Sequence, residues 1–516
     1  MLPHVFHPQQ TIIFVQQRPI VSNFIDMESS ELKSSKTDLE HFHLDNVDAE
    51  NLSVNYTNAE ERKVVWKCDL HVVPILMLLY LLAFLDRINI GNARLQGLED
   101  DLNMEGAQYN YALFIFFIPY ILCEVPCNLI MKKLAPSTWI SGIMAAWGCV
   151  TIGQGFVNSW SALMACRFLL GVFEAGFLPG CVYLISTYYK RFELQWRLNL
   201  FFSASIISGA ISGLLAYGLS YMDGVCGYSS WRWIFILEGI ATVVVGLGAK
   251  VLIVDWPEEA SFLSERERTI LLTRLGSEND MFPMNRLNRN AVWRILSDKK
   301  IYLGIIMYLG TLNTGYAASF FIPTILRDMG WTSLMSQVMS IPIYIVAAIM
   351  TISTAYFSDR SKHRFGFVVA GCVIATVGYI MLLAQASIPA GAKYFALYAV
   401  TGGGFISQPI LIGWLSNIGG HYKKAIATAM QIGFGNCGGF VASNVFLSAE
   451  APLYVTGYAT SLGLIWLCLI ASVSMVLLLW RENRTRERGG RDERLALGPE
   501  ELDNLGDDHP GFRFNY

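Results

Sequence analysis

The chain has 516 residues, 53% of them hydrophobic and only 15% charged, with a formal net charge of −3. Soluble domains carry roughly 25% charged residues. Here 49 of the 79 charges sit in residues 1–70, 255–300 and 481–516, leaving 30 across the other 364 positions, which disfavours a secreted domain, a soluble enzyme or a nucleic-acid binder and implies a polytopic protein of the lipid bilayer.

Residues 1–70 are polar and net acidic and are read as a largely disordered tail. The apolar run at 11–15 is too short for a signal-peptide core, so the first span serves as the targeting signal. From residue 71 the apolar stretches have the length of about 20 residues needed to cross hydrocarbon. They fall at 71–91, 109–131, 138–157, 161–187, 200–221, 231–254, 301–323, 335–357, 365–386, 393–416, 426–448 and 457–480. The predicted fold is an all-α membrane protein of twelve transmembrane helices in two six-helix halves, 71–254 and 301–480. A central loop, 255–300, joins them, and 481–516 forms a tail. Gly402 to Gly404 and Gly433, Gly435, Gly438 and Gly439 fit close helix contact or a break where a pathway is lined. The ten cysteines are mostly single residues in apolar runs and read as small buried hydrophobes; no metal or cofactor is expected.

Basic residues set the orientation. Lys132, Lys133, Lys190, Arg191, Arg197, Arg360, Lys362, Arg364, Lys423 and Lys424 occupy one set of short connections, while Glu99, Asp100, Asp101, Glu105 and Asp223 dominate the other. Both termini and the central loop are therefore expected in the cytoplasm, which leaves the acceptor patterns at Asn51, Asn55 and Asn483 unmodified. Residues 257–272 read as a short amphipathic helix near the cytoplasmic surface whose mixed charges form a solvated face, with a docking site as the alternative.

An ionisable residue in hydrocarbon is costly unless paired or wetted, so such residues are the default functional candidates. The first span ends with Asp86 and Arg87, either an interfacial pair or an anion contact whose charge Asp86 governs. Arg167 and Glu174 lie two turns apart on one helix face, separated by about 10 Å along the axis. Each then needs a partner on another helix, a substrate or water, as a structural ion-pair network or as a transport centre with Glu174 taking the proton. Glu124 precedes Pro126 and reads equally as a structural or functional acid, and Glu238 as packing near an interface. Asn313, Tyr316, Gln408 and Asn436 supply uncharged polar groups from the second half, for helix contacts or a cavity wall. Asp359, Arg360 and Arg364 form a candidate conformational gate, beside the alternative of simple positive-inside anchoring.

Several runs together resemble the major facilitator superfamily, and within it the fungal anion:cation symporters that include allantoate, pantothenate, biotin and nicotinate permeases. They are Leu85-Asp86-Arg87-Ile88-Asn89-Ile90-Gly91-Asn92-Ala93, the segment from Arg167 to Gly180, Trp231-Arg232-Trp233-Ile234-Phe235, Ser358-Asp359-Arg360, and Trp414 through Lys424, spread over about residues 65–485. The resemblance implies proton-coupled import of a small organic anion by alternating access. It places Arg87 near the anion path, Glu174 as the proton-coupling group, and Arg167 at substrate or in charge balance. A nicotinate-like carboxylate is the favoured substrate; pantothenate, biotin or allantoate, an exporter, or a non-transporting nutrient receptor are the alternatives. The expected setting is a monomer in the plasma membrane, or else in the vacuolar or another internal membrane. One departure is the segment from Asn128 to Pro136, which lacks the acid-plus-arginine form of the superfamily signature and weakens a symmetric two-latch mechanism.

Overall fold

The computed structural model describes residues 56–131, 134–276, 289–361, 363–415, 421–498, 501–502 and 504–514. Besides one-turn segments, sixteen α-helices follow in order: α1 Asn58–Leu95, α2 Gln108–Met131, α3 Pro136–Gln154, α4 Trp160–Glu174, α5 Phe177–Tyr188, α6 Arg191–Leu219, α7 Ser230–Leu252, α8 Glu265–Gly276. The series continues with α9 Arg289–Leu296, α10 Lys299–Asp328, α11 Ser333–Ser361, α12 Phe365–Leu383, α13 Ala390–Leu415, α14 His421–Gly435, α15 Cys437–Val445 and α16 Val455–Glu487. Among the described residues, nine helical segments are long and apolar enough to cross a membrane: α1, α4 with α5, α6, α7, α10, α11, α12, α13 and α16. The predicted stretches 109–131, 138–157 and 426–448 are also helical, in α2, α3 and α14 with α15.

Several predicted boundaries move. α1 begins at Asn58 rather than near 71 because Thr57 and Glu60 form a capping box: Glu60 N donates to Thr57 Oγ1 at 3.3 Å and Thr57 N to Glu60 Oε2 at 3.0 Å. The stretch 161–187 is two helices, broken at Ala175 and Gly176, where Pro179 cannot donate to the Ala175 carbonyl. A second break, at Asn436, separates α14 from α15.

Contacts gather the helices into two groups. In the first, α1 packs on α6 and α7, α3 on α7 and α4, and α2 on α4; in the second, α10 and α12 each pack on α13 and α16, and α11 on α13. Between the groups run α6 against α11, α1 against α10, and α2 against α15. Glycines permit the approaches: a Cβ on Gly403 would stand 2.5 Å from the Ala375 nitrogen, and one on Gly438 2.5 Å from the Leu309 carbonyl oxygen.

The start of α1, the central loop and the C-terminal segment share one face, here the terminal face. The predicted solvated helix is instead docked there. Arg274 on α8 is fully buried, donating to Glu61 on α1 at 2.7 Å and to Glu193 on α6, while Glu267 pairs with Lys67 at 2.7 Å. Burying Ile270 and Leu271 brings the helix down, and the acids of α1 and α6 satisfy Arg274. The C-terminal segment is likewise folded back on the second group: Asp507, fully buried, bridges Lys300 at 2.7 Å and Lys423 at 2.6 Å. At the opposite, distal face the groups are bonded to each other: Arg94 Nη2 donates to Ser448 Oγ at 2.8 Å, and Asn110 Nδ2 to the Ser443 and Phe446 carbonyls at 2.6 and 3.1 Å.

Candidate functional site

A narrow cavity lies between the two groups. Its walls carry Tyr80, Phe84 and Arg87 from α1, Phe202, Ser203 and Ser205 from α6, Tyr308 and Tyr316 from α10, Phe405 and Gln408 from α13, and Asn436 at the α14–α15 break. The helices deliver these groups because each presents a polar or aromatic residue at a position turned away from lipid.

Arg87 is the centre of the arrangement. It is 4% exposed, its Nη2 donates to Glu174 Oε1 across to α4, and its Nη1 donates to the Tyr316 hydroxyl at 2.7 Å across to α10. The Tyr316 hydroxyl donates in turn to Asn436 Oδ1 at 2.9 Å, and Asn436 Nδ2 bonds the Ile432 carbonyl at 3.0 Å. One chain of hydrogen bonds thus runs from Glu174 in the first group to Asn436 in the second. Around the guanidinium stand Tyr120, Phe116, Phe84 and Tyr316, with ring centres 4.8, 4.9, 5.8 and 5.9 Å from its central carbon. Such faces stabilise a cation and hold its plane. Among the described residues, Glu174 Oε2 and Arg87 Nε have no hydrogen-bond partner.

The other predicted residues are distributed more widely. Arg167, 1% exposed, donates through Nη1 to the Arg87 carbonyl at 3.3 Å and so steadies the α1 backbone at that point. Asp86 does not govern Arg87: successive residues on a helix face different neighbours, and Asp86 Oδ2 accepts from Trp147 Nε1 at 3.2 Å and Thr242 Oγ1 at 2.8 Å. Nor is the Asp86–Arg87 step an interfacial pair, since both side chains are buried. Asn313 is turned from the cavity to bond Ser461 at 3.0 Å, whereas Gln408 lines the cavity and donates to the Thr311 carbonyl at 3.1 Å. Glu238 is 6% exposed inside α7 rather than near an interface. In the gate segment Arg360 is exposed and Arg364 half-buried; the side chain of Asp359 and residues 416–420 lie outside the described set.

Sequence reasoning missed the aromatic wall formed by Tyr80, Phe84, Phe116 and Tyr120. Tyr80, Phe84 and Arg87 follow a helical i, i+4, i+7 pattern, and Phe116, Tyr120 and Glu124 an i, i+4, i+8 pattern, which is the signal that could have found them.

Residues 76–443 match the sequence profile of the Major Facilitator Superfamily. The chain belongs to this superfamily. As a facilitator it is a secondary transporter that moves small molecules by alternating access, not an enzyme. Among its relatives are an uncharacterized transporter of Schizosaccharomyces pombe, 34% identical over 84% of this chain and 87% of that one, and the MFS-type transporter cnsO of Penicillium expansum, 32% identical over 93% and 94%. The high-affinity nicotinic acid transporter of Saccharomyces cerevisiae is 29% identical over 88% of this facilitator and 85% of its own length. The fold is shared, at a TM-score of 0.56 and 16% identity over 82% of this chain and 97% of the other, with a bacterial homologue of the human lysosomal transporter Spinster in an inward-facing, occupied conformation.

Proposed function

We propose that this facilitator imports a small organic anion together with a proton, and that the exchangeable ion pair Arg87–Glu174 couples the two. The observation that carries the reading is the placement of Arg87: its charge stands in the cavity wall, and its one carboxylate partner in the described structure is Glu174. While Glu174 is ionised it occupies the guanidinium. When Glu174 takes a proton, the pair loses its Coulomb attraction, and an incoming carboxylate can replace it on the Arg87 fork. Loading therefore follows the order proton, then anion. Release on the other side reverses it: the departing carboxylate returns Arg87 to Glu174, whose proton leaves as the pair re-forms. Tyr316 and Asn436 carry the event to the second group, because a carboxylate on Arg87 competes for the hydrogen bond that Nη1 gives to Tyr316. Arg167 fixes the Arg87 backbone and balances local charge.

The aromatic residues of the wall, Tyr80, Phe84, Phe202, Tyr308 and Phe405, suit a planar carboxylate, and the relation to the nicotinic acid transporter makes a nicotinate-like compound the first substrate to try. A second reading, another small organic anion such as pantothenate, biotin or allantoate, or one that is exported, is favoured by one fact: the relatives at 34% and 32% identity carry no nicotinate designation. The proposed setting is twelve spans in two six-helix halves, a monomer with both termini in the cytoplasm, in the plasma membrane in preference to the vacuolar one. Arg360 and Arg364, with Asp359, would serve as a gate on the cytoplasmic side. Initial uptake of labelled nicotinate, pantothenate, biotin and allantoate by cells lacking their own permeases tests the reading. Saturable uptake of one anion that rises with external acidity supports it, and no uptake of any by surface-localised protein counts against it.

A further inference from the structure

The contact between α2 and α14–α15 is a seam between the two groups, and it is closed from the distal face downward. Asn110 bonds the carbonyls of Ser443 and Phe446, and the rings of Phe114 and Phe117 meet Phe440 at 5.0 and 5.9 Å. The innermost contact is an acid against a glycine: a Cβ on Gly433 would stand 3.3 Å from Glu124 Oε2. Glu124 is 4% exposed, and among the described residues its buried Oε2 has no hydrogen-bond partner. Four groups able to titrate or carry charge lie within electrostatic range of it: Tyr120 from its own helix, Tyr308 and Tyr316 from α10, and Arg87 from α1. The Arg87 charge is engaged by Glu174, and Gly433 on α14 offers no donor side chain.

We propose that Glu124 is a second proton-binding site of the transport cycle, separate from Glu174, whose proton is bound when the α2–α14 seam closes and released when it opens. An ionised carboxylate with an unpaired buried oxygen, whose neighbouring cation is already engaged by another acid, is costly to bury, whereas the protonated acid is tolerated. Parting the helices admits water, which solvates the ionised form. Proton binding and seam closure are therefore linked, and each favours the other by the same factor. Gly433 brings the helices close enough for this contact, since a Cβ there would require the Glu124 carboxyl to give by a few tenths of an ångström. The inference rests on alternating access; it needs neither a known substrate nor Glu174 as the coupling acid.

Hydrogen–deuterium exchange of the full chain in phosphatidylcholine nanodiscs, without substrate, reads the seam directly. Peptides from 108–131 and 421–445 are followed between about pH 5 and 8, with the intrinsic pH dependence of exchange divided out. For one linked proton the corrected exchange of wild-type protein should rise with pH by up to about tenfold per unit. Glu124→Gln, which mimics the protonated acid, should give slow and pH-independent exchange in these peptides, and Glu174→Gln should keep the wild-type slope. Loss of the slope in Glu174→Gln as well would contradict the separation of the two sites. A flat wild-type profile, or a slope that survives in Glu124→Gln, overturns the assignment. Glu124→Met supplies an independent arm should the glutamine variant fail to fold: with no carboxyl to ionise, its seam peptides should exchange slowly at every pH, and a wild-type slope in that variant would contradict the proposal. Failure of the uptake experiment above leaves these outcomes unchanged, so the two readings fail separately.

Discussion

Arg87 shows what a single residue type contributes. Its planar fork reaches Glu174 on one side and Tyr316 on the other while its faces rest among four rings, a geometry that a lysine ammonium lacks. Arg87→Lys is therefore expected to reduce uptake by at least about tenfold with protein at normal surface level, since one lost charge-assisted bond of about 1.5–3 kcal/mol is a factor of ten or more. Tyr316→Phe removes the hydroxyl shared by Arg87 and Asn436 without changing the ring, and should weaken apparent affinity by about threefold to tenfold. Arg87, Arg167 and Glu174 were legible in the sequence because a charge in an apolar run has few bland explanations. Their partners were not. Asp86 sits beside Arg87 in the chain yet bonds Trp147 and Thr242, and Asn313 bonds Ser461, because the direction of a side chain depends on helix rotation and packing rather than on the run that contains it.

At the scale of elements, the helices that cross the apolar layer were readable from length and the glycines at 433–439 offered the break seen at Asn436, but the break at 175–176 and all of the docking on the terminal face were not. The break before Phe177 has a visible cause in Gly176 and Pro179, whereas α8 reads as a solvated helix until α1 and α6 bring Glu61 and Glu193 to Arg274. Local charge pattern carries no record of such distant acids. Arg274→Ala should leave Glu193 without this partner and Glu61 with Lys190 alone and, discounted for the acids' partial exposure of 32% and 23%, cost about 1–3 kcal/mol, seen as a drop of several degrees in the melting temperature of the solubilised protein. Gly403→Ala attacks the α12–α13 contact from within. With a Cβ 2.5 Å from the Ala375 nitrogen the backbones must separate, and a loss of about 1–3 kcal/mol is expected in the same measurement.

For the whole molecule, each group of helices carries its own fastening on the terminal face, α8 for the first and the C-terminal segment for the second, while the distal face fastens the groups to each other. The C-terminal fastening depends on pH in a definite direction. Burial alone would raise the Asp507 carboxyl, but Lys423 and Lys300 overcome it and hold the group below the usual carboxylate range. A group depressed in the folded state contributes stability that is complete above its unfolded pKa of about 3.9 and is lost as pH falls through the folded value. The C-terminal segment should therefore stay docked at neutral pH and detach only in strong acid, and Asp507→Asn should detach it at pH 7, as protease sensitivity of residues 488–516 would reveal.

The proton–anion exchange at Arg87 is tested most directly by comparing wild type and Glu174→Gln in proteoliposomes, using the anion identified by the uptake panel. Two modes are measured: accumulation driven by an imposed inward proton gradient, and counterflow of labelled for unlabelled substrate at equal pH. The account predicts that wild type performs both, and that Glu174→Gln retains counterflow while losing accumulation. Gradient-driven accumulation by Glu174→Gln at the wild-type rate would contradict it.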